Sequence, residues 1–192
     1  MSVSRRLRGA SRWAAVLVVL TICAPAPAAG QVFLTQQEAL ELAFPPPMSV
    51  ERRTAFLSEA DLSRADELAG SGSDVDQRIV SYYVGTLENQ AQGVAYYDAH
   101  RVRTLPEAIM IVVGPEGEVT RVEILKFAEP RDYLASAAWL KQFEGRRLDA
   151  DVSIGRGVAR MTGATLTSRA VTSAVRRVLA LHELIKPFGP TP

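Results

Sequence analysis

The stretch Ala108–Lys126 reads AIMIVVGPEGEVTRVEILK. Its first six residues are an unbroken apolar run, as expected of a strand buried on both faces. Gly114-Pro-Glu-Gly117 is a turn. In the return segment Thr120, Val122 and Ile124 alternate with Arg121 and Glu123, the period-two pattern of a sheet with one dry face. This is a β-hairpin, and a second precedes it. Arg78–Leu87 (RIVSYYVGTL) is rich in β-branched and aromatic residues, Glu88–Gly93 is polar, and Val94–Tyr97 returns. Helices flank the hairpins. Thr35-Gln-Gln-Glu38 is a capping box that starts a helix to about Ala43, stopped by Pro45-Pro46-Pro47. Ser58-Glu-Ala-Asp61 starts another that runs to Gly70. Tyr133–Phe143 reads as a short helix ending at Gly145. From Thr167 to about Ile185, Val171, Ala174, Val175, Val178, Leu179 and His182 share one helical stripe, with Arg169, Arg176 and Arg177 off it. The expected fold is α+β: a twisted antiparallel sheet built from hairpins, flanked by helices, with a long C-terminal helix.

The ends and the composition limit what such a fold can do. Arg5, Arg6, Arg8 and Arg12 form a basic head, Trp13–Ala24 is uncharged and apolar, and small residues run on to Gly30. This is the plan of a secretory signal peptide over residues 1–30, cleaved near Gln31 or kept as an anchor. The apolar run is short for a membrane span, which needs about 20 residues. An exported chain on the outer side of the cytoplasmic membrane, periplasmic in a double-membrane cell, is the expectation. Residues 31–75 then form an N-terminal helical segment, 76–187 the main domain and 188–192 a tail. Four of the 22 bases leave with the signal, so 18 face 21 acids and the mature charge is −3. Nothing in that balance points to a nucleic-acid partner. The single cysteine, Cys23, lies in the signal, which excludes disulfides and cysteine-ligated clusters from the mature chain. Only His100 and His182 supply imidazoles, so no metal site is expected. No acid, base or nucleophile stands out as catalytic, and the chemistry must come from a cofactor.

Met161-Thr-Gly-Ala-Thr-Leu-Thr-Ser168 joins the sheet region to the last helix. Gly163 and Ala164 leave the backbone open to close approach. Thr162, Thr165 and Thr167 crowd the helix start beside Ser168. The first-turn amides of a helix lack partners within it and attract negative charge, so a phosphate suits this place. Thr167 or Ser168 as a plain N-cap is the competing reading of the same residues.

The string TGATLTS, followed by Arg169-Ala170-Val171 and an amphipathic helix, resembles the FMN-binding domain family. Its members include the C subunit of sodium-pumping NADH:quinone oxidoreductase and the G subunit of the Rnf electron-transport complex. The resemblance extends over about Ser81 to Leu181. It implies FMN as cofactor, with the phosphate near Thr162, Gly163, Ala164, Thr165, Thr167 and Ser168. In relatives the final threonine of Gly-Ala-Thr, here Thr165, carries FMN through a phosphoester installed by a flavin transferase. Glu129-Pro130, after the Val122–Lys126 strand, matches part of a family loop and makes Glu129 a candidate for the flavin ring or ribityl chain. The transferase's target motif has Asp three residues before the first Ser or Thr, where this chain has Ala159. Covalent and non-covalent attachment therefore both stay open. The family also implies membrane or periplasmic redox proteins as partners. An electron-transfer module, a flavin-dependent reductase component and a flavin-free binding module are the three functional readings.

The remaining aromatic and basic residues have two readings each. Tyr82, Tyr83, Tyr96 and Tyr97 lie one of each pair on each face of the first hairpin, for cross-strand packing or for stacking on the flavin. Trp139 is read as a buried anchor. His100, Arg101 and Arg103 are a solvated strand end or a cationic neighbour of a reduced flavin. His182, on the apolar stripe, is a packed and hydrogen-bonded histidine.

Overall fold

Ile109, Met110, Ile111, Val112 and Val113 are each no more than 3 % exposed, which is why their run is apolar without alternation. They lie in a strand with neighbours on both sides and layers above and below. The computed structural model describes residues 30–189. The expected signal segment lies outside those residues except for Gly30. In chain order the elements are β1 (Gln31–Val32), α1 (Gln36–Ala43), β2 (Ser49–Phe56), α2 (Glu59–Ala69), β3 (Ile79–Leu87), β4 (Gln90–Arg101), β5 (Pro106–Val113), β6 (Val119–Phe127), α3 (Ala137–Leu140) and α4 (Thr165–Ile185). The strands form one open antiparallel sheet in the order β1-β6-β5-β4-β3-β2. The fold is α+β with a long C-terminal helix, as the sequence indicates.

Both helices expected early in the chain form, each with a complete capping box, on Thr35 with Glu38 and on Ser58 with Asp61. Residues 31–75 hold these helices and also give β1 and β2 to the two edges of the sheet. The turn between β3 and β4 is tighter than the polar stretch Glu88–Gly93 suggests. Only Glu88 and Asn89 form it, both at positive φ, and β4 starts at Gln90.

Each face of the sheet has its own cover. On one, α4 and α2 pack against Val80, Tyr82, Val84, Val94, Tyr96, Ile109 and Ile111. All six predicted stripe residues of α4 are buried there. On the other, α1 brings Ala39 and Phe44 against Ala95, Met110, Val112 and Leu125. Phe44 lies directly over Gly85, where any Cβ would collide with the ring. Gly85 pairs with Gly93 across the strands, beside a register shift at Gly85/Thr86.

The helix expected over Tyr133–Phe143 is broken. Arg131–Tyr133 and Lys141–Phe143 are 3₁₀ turns, with α3 between them. Leu134 is extended, and Ser136 restarts the helix as an N-cap, its hydroxyl accepting from Trp139 N–H at 3.2 Å. The last helix begins at Thr165, two residues before the expected Thr167. No helix among the described residues is long and apolar enough to cross a membrane.

Candidate functional site

The loop from Gly145 to Ala164 decides where α4 begins, and side chains from three directions hold it. The Arg146 guanidinium donates to Gln142 O at 2.6 Å and also to Gly157 O. Arg176, on α4, donates to Asp149 O at 2.7 Å and Val152 O at 3.1 Å. The Ala159 peptide is pinned on both sides: its N–H donates to Gln142 Oε1 at 2.6 Å, and its carbonyl accepts from Trp139 Nε1 at 2.9 Å. Trp139 is half-buried and meets Phe143 edge-on, so it is an anchor for this loop.

Gly163 then turns the chain into α4 at φ +81°, a conformation that glycine adopts without penalty. The N-cap is Ala164, with no side chain to cap the helix. The first α-helical bond runs from Ser168 N–H to Ala164 O. The N–H groups of Thr165, Leu166 and Thr167 precede it and carry the positive end of a 21-residue helix. The N-cap reading of Thr167 and Ser168 fails because both lie inside the helix with their hydroxyls committed. Thr167 Oγ1 donates to Tyr133 O at 2.7 Å, and Ser168 Oγ donates to Thr165 O at 2.9 Å.

This helix start opens into a cleft of about 290 Å³ lined by Gly163, Ala164, Thr165, Leu166 and Thr167 from one side. Val102, Arg103, Glu129 and Tyr133 line the other. The structure thus brings Glu129 to the motif, 34 residues along the chain from Gly163. Thr165 is exposed in the cleft. Thr162 is exposed but not part of the lining, and Ser168 is buried behind the first turn. Of the candidate site residues, Gly163, Ala164, Thr165, Thr167 and Glu129 therefore meet at the cleft, with Thr167 offering its backbone and not its hydroxyl.

Glu129 Oε1 accepts from the N–H groups of Thr104 at 2.8 Å and Leu105 at 2.9 Å. Those bonds hold its carboxyl below the usual carboxylate range. Glu129 thereby clamps the β4–β5 loop that carries Val102 and Arg103. An ionised carboxylate only accepts hydrogen bonds, so it suits a ligand's hydroxyl or N–H and not its phosphate. Arg103 and Tyr133 are the residues that sequence reading undervalued. Arg103 sits at a strand end, where charge is usually solvated, and nothing in its neighbours signals that the loop folds back onto residue 129.

The four hairpin tyrosines pack and do not line the cleft. Tyr82 and Tyr96 stack with centroids 5.8 Å apart, while Tyr83 and Tyr97 meet edge-on at 5.6 Å on the opposite face. His182 is packed as expected, its Nδ1 3.1 Å from Tyr96 Oη. Burial pushes its pKa down to about 4. His100 is not solvated. Its ring lies 2.7 Å from Asp98 and 2.9 Å from Glu107, and Arg177 pairs with Asp98 through two bonds. Burial disfavours the imidazolium, but the bonds to Asp98 and Glu107 prevail and raise its pKa to about 9.

An uncapped helix start, an exposed threonine hydroxyl and a guanidinium without a partner among the described residues share an α+β cleft with a carboxylate acceptor, an arrangement suited to a ligand that carries a phosphate and more. Residues 106–180 match the family model described as the FMN-binding domain, and the chain carries an FMN-binding domain over that span, with FMN as its cofactor. No curated protein matches the chain. The residues fit the group. Three open amides and the Thr165 hydroxyl suit the phosphate, and Gly163 has no neighbour within 4 Å of where a Cβ would stand.

Proposed function

We propose that this flavin-binding module is an exported electron carrier that docks with membrane or periplasmic redox proteins, with the FMN phosphate at the head of α4 and Thr165 as its point of attachment. The observation that carries the reading is the exposed Thr165 hydroxyl at the first position of an uncapped helix, inside a cleft shared with Arg103 and Glu129. The helix end and Arg103 favour the phosphate charge. Glu129 and its clamped loop present an acceptor for the rest of the ligand. Bound FMN supplies redox chemistry in one- or two-electron steps, and the protein supplies position and electrostatics. Export is supported by the signal-like residues 1–30, and the carrier role by the lack of an evident acid, base or nucleophile at the cleft beyond the clamped Glu129.

The test is the full-length chain expressed with a flavin transferase, followed by intact mass and visible absorbance. The expected result is a yellow protein heavier by FMN less one water, with the gain lost in Thr165→Ala. Thr165 makes no side-chain hydrogen bond among the described residues, so this variant stays folded, within about 0.5 kcal/mol of the parent. Yellow protein that releases all its FMN on denaturation sinks the covalent part. Colourless protein that takes up no added FMN sinks the whole reading.

A further inference from the structure

Most arginines of the described residues are satisfied by carboxylates or carbonyls. Arg53 pairs with Glu51, Arg177 with Asp98, Arg121 with Glu123, and Arg101 donates to Thr104 O at 2.7 Å. Among the described residues, Arg103, Arg156, Arg160 and Arg169 make no side-chain hydrogen bond and no ion pair. Three of them, Arg103, Arg156 and Arg169, line cavities against the first half of α4. Arg103 belongs to the flavin cleft. Arg156 and Arg169 line a different cavity of about 560 Å³, together with Arg176 and the hydroxyl-bearing Ser71, Ser153 and Ser173.

We propose that this second cavity binds a small molecule carrying two or more phosphate or carboxylate charges, separate from FMN. Arg169, Thr172, Ser173 and Arg176 stand at helical spacing on one polar face of α4, apart from its apolar stripe. At 1.5 Å per residue the face lies roughly 6 to 16 Å along the helix from Thr165, and none of its four residues lines the flavin cleft. The Arg176 guanidinium is fixed by three carbonyls, Ala69 O at 2.5 Å, Asp149 O at 2.7 Å and Val152 O at 3.1 Å, with no carboxylate to neutralise it. No acidic residue lines the cavity. Two guanidiniums without partners among the described residues, Arg156 and Arg169, match ligand oxygens that accept paired N–H bonds, and the carbonyl-bound Arg176 adds a third positive charge to the concavity. Such a concentration of positive charge is local, because the mature chain is acidic overall. The volume falls within the range of small-molecule sites, about 300–1,000 Å³. A smaller basic cavity, lined by His100, Arg101, Arg169 and Arg177, joins this one through Gly72, Arg169 and Ser173, and shares Val102 and Leu166 with the flavin cleft. A ligand here would sit beside the redox centre without occupying it.

Titration calorimetry of the chain with inorganic pyrophosphate, and separately with citrate, at an ionic strength of about 0.15 M, tests this. The expected result is saturable one-to-one binding of one of the two anions, equal in FMN-loaded protein and in Thr165→Ala. Whichever anion binds identifies the site as one for phosphates or for carboxylates. Arg156→Ala and Arg169→Ala should each weaken it at least about tenfold, the scale of a lost charge-assisted contact. Arg53→Ala, remote and paired with Glu51, should leave it unchanged, and melting curves should show all three variants folded. Absence of saturable binding by either anion overturns the proposal. So does equal affinity in the Arg156 and Arg169 variants, or displacement of the anion by FMN, which would make the cavity part of the flavin site. Arginine-dependent binding of an acidic polyglutamate peptide, with neither small anion bound, would replace it with a protein-docking surface.

Discussion

Ala159 is the residue at which the chain departs from the target pattern of a flavin transferase. Its methyl is exposed, while its peptide is locked by Gln142 and Trp139 three residues before Thr162. A transferase that reads an aspartate at this position would meet a fixed backbone and no carboxylate. Ala159→Asp adds that carboxylate without disturbing a buried contact, so stability should change by no more than about 0.5 kcal/mol. Co-expressed with a flavin transferase, the variant is expected to carry a larger covalently flavinylated fraction by intact mass than the parent. Equal fractions would mean that loading does not depend on this residue. The same neighbourhood shows what could be read of the site beforehand. Gly163, Ala164 and Thr165 were legible because their types at a helix start imply open amides. Arg103 and Tyr133 were not, because they reach the cleft through a loop fold and a broken helix that no local pattern encodes. The helix start was placed two residues late, at Thr167 instead of Thr165, since an alanine N-cap gives no sequence signal for where a helix begins.

At the scale of elements, α4 and β4 carry the two titrating histidines, and these pull in opposite directions. His182 has its folded pKa lowered to about 4 by burial. As pH falls below its ordinary value near 6.5, the unfolded chain takes up a proton that the folded chain refuses, and stability drops until about pH 4. The folded pKa of His100 is raised to about 9, against the opposing effect of burial, by its bonds to Asp98 and Glu107. Its contribution is complete below about pH 6.5 and is lost as pH rises towards 9. Each limb amounts to roughly 3 to 4 kcal/mol at most, since a tenfold change in proton affinity is worth roughly 1.4 kcal/mol. Asp98, whose burial is outweighed by His100 and Arg177, is also held below its usual range and adds to the acid side. Melting temperature against pH should therefore peak at about 6.5, between the two limbs. His182→Leu should flatten the acid limb, from about 6.5 down to 4, and His100→Gln the alkaline limb, from about 6.5 up to 9. Persistence of both limbs in both variants would rule out the histidines as their source. His182 was legible as a packed residue from its place on a helical stripe. The buried state of His100 was not, since Glu107 reaches it through the register pairing of β4 with β5, and its other partner, Asp98, is paired in turn by Arg177 from α4. Strand β2 was invisible for a related reason: SVERRTAF at a sheet edge is mostly exposed and shows no apolar alternation.

For the whole molecule, the span that matches the FMN-binding family is smaller than the unit that can fold. Residues 106–180 hold β5, β6, α3 and most of α4. They lack β4, which pairs with β5 along eight residues from Val94↔Val113 to Arg101↔Pro106. They also lack α2, the main helical partner of α4. Without these, Ile109 and Ile111 lose their cross-strand neighbours on β4, Asp98 and Tyr96, and the α4 stripe loses much of the surface it covers. The segment before the family match does more than extend the sheet. It starts as β1 against β6 at one edge, carries α1 across one face and returns as β2 against β3 at the other edge. One stretch of chain thus spans the sheet, covers a face and supplies both outermost strands. A two-stranded remnant with the four-residue α3 and a shortened α4 buries too little to be stable alone. The fragment 106–180 should accordingly show no cooperative melt, poor amide dispersion by NMR and no FMN uptake, whereas 30–189 should melt as one transition and bind FMN. A fragment that folds and takes up flavin by itself would show instead that β4, α2 and the wrapping segment are additions to a self-sufficient flavin domain.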